Sequence, residues 1–461
     1  MPGQSFPTTF SPTRSAPRRA LIGWVLFDPA CQPFFTLVTT FIFAPYFASA
    51  VVATPALGQE LWGYATGIAG LIIALSSPVL GAIADAAGRR KPWVAVFGAA
   101  LVIGCGGLWF ALPGDEARVP LILASFILAT VGAECAITFN NAMMPGLVPP
   151  EKLGRLSGTG WACGYVGGLI ALGLMLAVFS TNPTTGLTLL GRPPAFGLDA
   201  ALREGDRISG PLCALWFAVL VIPMFLFVPD RPRALPWRAA VRSGVRETAA
   251  LLHRLKGQRN LARFLLANMI YADGLVGLFA LGGIYAAGTF GWGSVEIGIF
   301  GILILIAGIA GALAGGWLDD ALGGRRVVLG GLVLLFLASF GILCVDRDGL
   351  LFGLIPTAPG HGLFATLPEK IYLGLGLIIG LVAGPLQAAS RTILARLAPP
   401  EHLGEYFGLF ALSGRVTSFA APTLVAVVTG LAASQKAGVA VLLGFFALGG
   451  LILAGVREPA R

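Results

Sequence analysis

Charge is what this sequence has least of. Only 11% of its 461 residues are Asp, Glu, Lys or Arg, against about a quarter in soluble domains, too few to clothe a large water-facing surface. Histidine is nearly absent: the three present, His253, His361 and His402, fall in loops, which leaves any proton traffic to carboxylates. The six cysteines, at 31, 105, 135, 163, 213 and 344, sit in apolar stretches without ligand spacing. They read as packing residues, and neither a disulfide framework nor a metal site is expected. The sequence has no glycine-rich phosphate loop, no H-E-x-x-H and no G-x-S-x-G, so an ATP-driven pump and an intramembrane hydrolase both lack their apparatus. No cofactor and no enzymatic activity are expected. No cleavable signal is expected either, since the first apolar run is too long and leads straight into others.

What remains is apolar. The chain is 56% hydrophobic and carries 64 glycines and 31 prolines; in lipid, glycine seams pack helices and proline kinks are tolerated. Runs long enough for a bilayer, about 20 residues, recur twelve times: 21–50, 62–84, 92–112, 119–143, 155–180, 210–228, 261–288, 294–319, 327–345, 370–394, 404–430 and 437–456. This is an all-α membrane protein, an integral multi-pass one.

The net charge of +9 reflects orientation. With loops assigned alternately to two sides, one side holds 23 Lys and Arg and the other 7, with Arg415 inside a span. Both termini therefore face the cytoplasm, expected to lie inside a bacterial inner (plasma) membrane, with anionic lipid as the partner of the basic side and no nucleic acid needed. The longest cytoplasmic stretch contains an amphipathic helix near 239–255, with arginines among valines and leucines, suited to a membrane surface. The predicted organisation is a disordered tail (1–19), a six-helix bundle (20–228), a basic linker (229–259), a second six-helix bundle (260–457) and a short tail (458–461), in a monomer.

The two halves repeat each other. Gly81-Ala-Ile-Ala-Asp85-Ala-Ala-Gly88-Arg89-Arg90-Lys91 returns as Gly316-Trp-Leu-Asp319-Asp320-Ala-Leu-Gly323-Gly324-Arg325-Arg326, with Gly81, Asp85, Gly88 and Arg90 in step with Gly316, Asp320, Gly323 and Arg325. The first glycine allows close helix approach and the second a tight reversal. The aspartate sits at a helix end, where it can pair with arginines or with a helix N-terminus. Gly324 replaces the basic Arg89, so a weaker second contact is expected. Pro149-Pro150-Glu151-Lys152-Leu153-Gly154 likewise returns as Pro399-Pro400-Glu401-His402-Leu403-Gly404. Internal repeats of this kind build secondary transporters, with the substrate site near mid-membrane at the repeat interface.

Charges inside spans are expensive and need a reason. Asp28, Glu134, Asp273 and Arg415 are buried in spans, and Gln387 and Arg391 lie in the cytoplasmic half of the tenth; Gln32, Asn140, Asn141, Tyr271 and Tyr285 add polar groups. Two readings stand side by side. These are buried pairs such as Asp273 with Arg415, or they line a watery cavity that binds a polar solute or a proton. Asp28-Pro29-Ala-Cys-Gln32-Pro33 is in the same position, either a plain kink or a broken-helix binding element.

The duplicated aspartate loop is similar to the signature of the major facilitator superfamily. At a finer level the chain resembles the vacuole-effluxer-like branch, associated in eukaryotes with vacuolar amino-acid release. The likeness is carried by Gly23-Trp24-Val-Leu-Phe27-Asp28, Phe139-Asn140-Asn141, Tyr271-Ala-Asp273-Gly274 and Gln387-Ala-Ala-Ser390-Arg391. It departs after Asp28, where the branch shows Trp, Asn and Ser and this chain has Pro29, Cys31 and Gln32. The resemblance implies twelve helices in two pseudo-symmetric bundles, with helices one, four, seven and ten around the cavity. Asp28, Glu134, Asp273 and Gln387 fall one on each. It also implies that the aspartate loops (Gly81, Asp85, Gly88, Arg89, Arg90; Gly316, Asp320, Gly323, Arg325) latch one state of the transport cycle. The expected function is alternating-access transport of a small polar or zwitterionic metabolite, amino acids among them, with proton coupling. Export of amphipathic compounds and a non-transporting sensor are the other readings, and the short linker leaves the sensor no effector domain.

Overall fold

In this computed structural model the structure describes residues 14–458, apart from 182–184, 231, 233, 293, 359, 361–362, 415–416, 418–419 and 433. Within some helices, as at 247–254, it describes the backbone alone. The predicted tails at 1–19 and 458–461 lie partly outside the described residues. Of the first, Ala16 donates its N–H to the Leu147 carbonyl, and the helix begins at Arg18.

Among the described residues, eleven helices are long and apolar enough to cross a membrane: Arg18–Val51, Glu60–Ala87, Lys91–Phe110, Glu116–Gly146, Pro150–Phe179, Glu204–Phe227, Arg259–Phe279, Ile299–Leu322, Gly324–Leu343, Leu367–Leu397 and Gln435–Ala454. The span predicted at 404–430 is present as two helices, Leu403–Ser413 and Ala420–Ala432. Counted in chain order, these make twelve. Their outer faces are greasy at helical spacing. On the second span Tyr64, Ile68, Leu71 and Leu75 are exposed while Ala65, Ala69 and Ile73 are buried, as for a helix packed on one side and bathed in lipid on the other. The basic linker forms a helix, Trp237–Gly257.

Backbone-to-backbone packing explains much of the glycine. A Cβ on Gly104 would stand 2.5 Å from the Ala129 nitrogen, and one on Gly132 would stand 2.5 Å from the Leu101 nitrogen, so the third and fourth spans touch through reciprocal glycines. Gly380 of the tenth span meets the Ile304 carbonyl of the eighth at 2.5 Å in the same way. Such contacts replace the hydrophobic drive that lipid removes.

The first span is irregular for a local reason. Pro29 has no N–H to give the Val25 carbonyl, and the helix is interrupted at Leu26; Pro33 has none to give the Pro29 carbonyl, and the chain continues as π-helix from Phe34 to Phe41. The freed Pro29 carbonyl accepts from Trp216 Nε1 at 3.0 Å, which satisfies it inside the protein.

The chain forms two compact units. The first comprises Met1–Pro149, Cys163–Ala249 and Pro400–Ala411; the second comprises Pro150–Ala162, Ala250–Pro399 and Leu412–Arg461. Each therefore takes in the start of one helix from the opposite half of the sequence, at the two places where Pro-Pro-Glu-x-Leu-Gly repeats. The loop after the fifth span folds a one-turn helix, Glu204–Arg207, whose Arg207 lies 4.6 Å over the Trp109 ring and donates to the Trp109 carbonyl at 2.7 Å. The loop after the ninth span makes a small antiparallel sheet from Val345–Asp346, Gly349–Leu350 and Ile355–Pro356.

Candidate functional site

In the first unit, Gly81 of the second span lies against the start of helix Leu403–Ser413. A Cβ there would overlap the Gly404 carbonyl and stand 2.7 Å from the Glu405 nitrogen. One turn on, Asp85 accepts from the Glu405 N–H at 3.0 Å and pairs with Arg90 Nη2 at 2.7 Å. Helix starts leave N–H groups unsatisfied and carry positive partial charge, so a carboxylate from another helix serves as their cap. Arg90 also donates to the Ala142 carbonyl at 2.7 Å, while Arg89 is exposed. Gly88, at φ +83°, makes the reversal against the Pro232 carbonyl. Asp230 closes the turn by accepting from the Arg90 and Lys91 N–H groups at 2.9 and 3.2 Å.

The second unit repeats the construction. A Cβ on Gly316 would stand 2.7 Å from the Gly154 carbonyl, at the start of helix Leu153–Leu174. Asp320 accepts from the Gly154 N–H at 2.8 Å, the Arg155 N–H at 3.2 Å and Arg155 Nε at 2.7 Å. Gly323, at φ +96°, turns the chain, and Arg325 donates to the Ala454 carbonyl at 2.5 Å. The two repeats noticed separately in the sequence are thus partners: each Pro-Pro-Glu-x-Leu-Gly builds the helix start that a repeated aspartate caps. Asp319 has a task of its own. It is 1% exposed, pairs with Arg396 Nη1 at 2.6 Å and accepts from Thr392 Oγ1. Its counterpart in the first loop is Ala84, which is buried.

Arg391, placed by sequence among the solute-binding candidates, is used at this end. Its Nε donates to Ser157 Oγ at 2.9 Å and its Nη2 to the Ser157 carbonyl at 2.8 Å, and Ser157 Oγ donates to the Ala388 carbonyl at 2.9 Å. An open cleft of about 600 Å³, lined in part by Arg89, Lys91, Phe225 and Asp230, flanks the first loop and lies away from the mid-span polar residues.

Those polar residues are distributed over both units. In the first, Asp28 and Gln32 face the fifth span where it is smallest: a Cβ on Gly164 would stand 3.6 Å from Asp28 Cβ and 3.8 Å from Gln32 Oε1. Trp24 Nε1 donates to the Asn140 carbonyl at 2.9 Å, tying the first span to the fourth. The Asn140 side chain is fully buried, and among the described residues neither its nitrogen nor its oxygen has a hydrogen-bond partner. Asn141 is buried beside it, and Glu134 is half-buried one and a half turns earlier. In the second unit, the Tyr271 hydroxyl and Ser390 Oγ are 2.7 Å apart, Ser390 donates on to the Leu386 carbonyl at 2.6 Å, and Asn268 Nδ2 donates to Ser413 Oγ at 3.1 Å. Gln387 Nε2 turns back to the Ala383 carbonyl at 3.2 Å. Asp273 is 2% exposed, and among the described residues its Oδ1 has no hydrogen bond within 3.5 Å; the buried Thr417 hydroxyl is its polar neighbour. Arg415 lies outside the described residues, so no pairing with Asp273 is described.

Sequence reasoning missed Asp230, Ser157, Asp319, Arg396 and Trp216. The Asp319-Asp320 doublet was visible, and the carbonyl freed by Pro33 called for a donor. The remaining partners are remote in sequence and leave no local signal.

A sequence model of the family described as vacuole effluxer Atg22 like matches residues 61–459. The chain is 25% identical over 438 residues to an uncharacterized MFS-type transporter, YxiO, of Bacillus subtilis, covering 94% of each. It is 23% identical over 287 residues to autophagy-related protein 22-1 of Penicillium rubens, covering 60% of this chain and 44% of that protein, so it spans less than half the fungal relative's length. Among solved structures it resembles the human organic anion transporter MFSD10 (TM-score 0.68, 18% identity, 95% of this chain and 99% of that one). It also resembles the major facilitator transporter FucP in its outward conformation (TM-score 0.70, 14% identity, 96% and 99%). At those identities the likeness is one of fold.

Proposed function

The chain belongs to the vacuole effluxer Atg22-like family of major facilitator transporters, and from that premise we propose that it moves a small polar or zwitterionic metabolite, amino acids among them, by alternating access. It is an integral multi-pass membrane protein, and a transporter rather than an enzyme. The observation that carries the substrate class is Asp273, a carboxylate buried within a span whose Oδ1 has no hydrogen-bond partner among the described residues. Burying a carboxylate costs several kcal/mol unless something compensates, and an ammonium group or a proton arriving from solution does so. Asp28, Gln32, Glu134, Asn140, Asn141, Tyr271, Gln387 and Arg415 complete the set from which the polar site is drawn. Arg391, held by Ser157, belongs with the latches.

The aspartate loops are the moving contacts in this reading. Each is a carboxylate set on a helix start, strong while seated and cheap to rehydrate once withdrawn, as a contact made and broken in every cycle needs to be. The basic ends face the cytoplasm of a bacterial plasma membrane and meet anionic lipid there; Arg238, Arg242 and Arg246, one stripe of the linker helix, are all exposed. The division into bundles 20–228 and 260–457 joined by linker 229–259, in a monomer, goes with this reading.

The test is transport by purified protein in liposomes, offered a labelled library of amino acids, other polar metabolites and amphipathic dyes, with and without an imposed pH gradient. Accumulation of zwitterions, driven by the gradient, is expected. Accumulation of the dyes alone would put an amphipath exporter in its place, and failure with every compound would favour the sensor.

A further inference from the structure

The two halves each end in a carboxylate just past their last span, Asp230 after the sixth and Glu458 after the twelfth. The first of these belongs to the aspartate loop beside it, bound to the Arg90 and Lys91 N–H groups. The second takes a different route to the same place. Glu458 Oε1 lies 3.4 Å from Arg396 Nη1, the nitrogen that also holds Asp319 at 2.6 Å, and Arg396 Nη2 reaches the Pro150 carbonyl at 3.4 Å. Pro150 immediately precedes the helix start that Asp320 caps.

The tail is held where this contact needs it. Arg325 donates to the Ala454 carbonyl, the Arg457 N–H donates to Asn260 Oδ1 at 2.7 Å, and Asn260 Nδ2 donates to the Arg457 carbonyl. The residue that differs between the loops makes the room. A Cβ on Gly324 would stand 3.1 Å from Glu458 Oε1 and 2.8 Å from Ile393 Cγ1. The matching residue of the first loop, Arg89, is exposed. The missing basic residue is therefore the opening into which the tail carboxylate fits.

We propose that Glu458 is a positioning residue of the second latch: it holds Arg396 against Asp319 and the Pro150 carbonyl, so release of helix start 153–155 requires the C-terminal segment to let go. The second loop is then a latch with a tail-borne member, open to control through that tail, whereas the first is complete without one. This rests on the reading of the aspartate loops as latches.

The experiment is amide hydrogen exchange on the full chain in lipid nanodiscs, which needs no substrate. Asp320→Asn comes first. It is expected to speed exchange in peptides covering 150–158, and if it does not, the latch reading itself fails. Glu458→Gln keeps the shape that fills the space over Gly324 and removes only the charge. It is expected to speed exchange over 150–158 roughly three- to tenfold, as for loss of one partly exposed ion pair, while leaving 400–406 unchanged. Glu458→Asp should restore part of the protection, and Gly324→Arg, which evicts the tail, should match Glu458→Gln. If Asp320→Asn loosens 150–158 and Glu458→Gln does not, the tail is mere cover and the proposal is wrong. Equal loosening at 150–158 and 400–406 would also overturn it, because a general loss of stability has no preference for one latch.

Discussion

The arginine-rich ends of the spans and their middles treat buried polar groups in different ways. At the ends, Asp85, Asp319, Asp320, Arg391 and Arg396 each have a partner at 3.0 Å or less. In the middles, among the described residues, Asp273 keeps a bare Oδ1, and Asn140 leaves both side-chain atoms unsatisfied. Buried polar groups are ordinarily satisfied because the alternative costs about 1–3 kcal/mol each. The ends leave guanidinium atoms such as Arg90 Nε and Arg325 Nε over but hold Asp85, Asp319 and Asp320. The middles satisfy Tyr271, Ser390 and Asn268 and leave open a carboxylate oxygen and a whole carboxamide, the groups that the proposed function uses. Within the ends, a second contrast matters. Asp85 pairs with Arg90 of its own loop while it caps a helix start, whereas Asp320 pairs with Arg155 of the helix it caps, and Asp319 adds a second pair with Arg396. Duplication has kept the carboxylate on the helix start and let the arginine partner vary.

The hardest way to break the ends is to fill their glycines. A valine at Gly81 or Gly316 would put carbon into the backbone carbonyl of Gly404 or Gly154. Neither neighbour is a flexible side chain that could swing aside, so the helix starts must undock. Both variants are expected to lose transport to background and to lose protection of the opposing helix start in hydrogen exchange. Retained transport in either would mean that the close approach is incidental.

The contrast between the two aspartates predicts a smaller and unequal pair of effects. Asp85→Asn strands Arg90, whose side chain is only 3% exposed; breaking a buried pair from one side costs about 3–5 kcal/mol. Asp320→Asn strands Arg155, which at 41% exposure turns to water. That variant keeps one acceptor for the helix start and loses its charge there together with a surface pair, about 1–2 kcal/mol in all. Thermal unfolding of the two variants should therefore rank Asp85→Asn as the more damaging. The reverse order would show that the second loop, with Asp319, Arg396 and Glu458 behind it, is the stiffer of the two.

How much of this was legible in the sequence follows from the range of each interaction. The spans are local events, written in runs of apolar residues, and among the described residues eleven of the twelve predicted appear as helical stretches long and apolar enough to cross a membrane, the first of them interrupted at Leu26. The aspartate loops announced themselves through repetition of Gly81, Asp85 and Gly88 as Gly316, Asp320 and Gly323. The partners did not. Asp85 meets Glu405 across 320 positions, and Arg391 meets Ser157 across 234; periodicity records nothing at that distance. Pro29 and Pro33 show how far a local reading goes. The freed carbonyl could be foreseen, but Trp216 as its donor could not, since only the packing of the sixth span on the first brings the indole there.

The mildest change is expected in the middle of the membrane, and it sharpens the comparison most. Asp273→Asn removes a charge that has the Thr417 hydroxyl beside it but no hydrogen bond within 3.5 Å on Oδ1 among the described residues. If the residue were scaffold, the loss of a paired carboxylate would destabilise the protein as Asp85→Asn does. If it is kept for function, the neutral amide is easier to bury than the charge, and stability should stay within about 0.5 kcal/mol of the parent or rise, the usual trade where a site is held ready for its ligand. Transport of the same protein, in liposomes at equal density, should fall to background. Combining it with Arg415→Gln extends the test to the other charged candidate. A structural pair predicts that the double variant regains both stability and transport, and a substrate site predicts a stable protein that moves nothing. Recovery of transport in the double variant would assign both charges to the scaffold and leave Asp28 and Glu134 as the carboxylates to pursue.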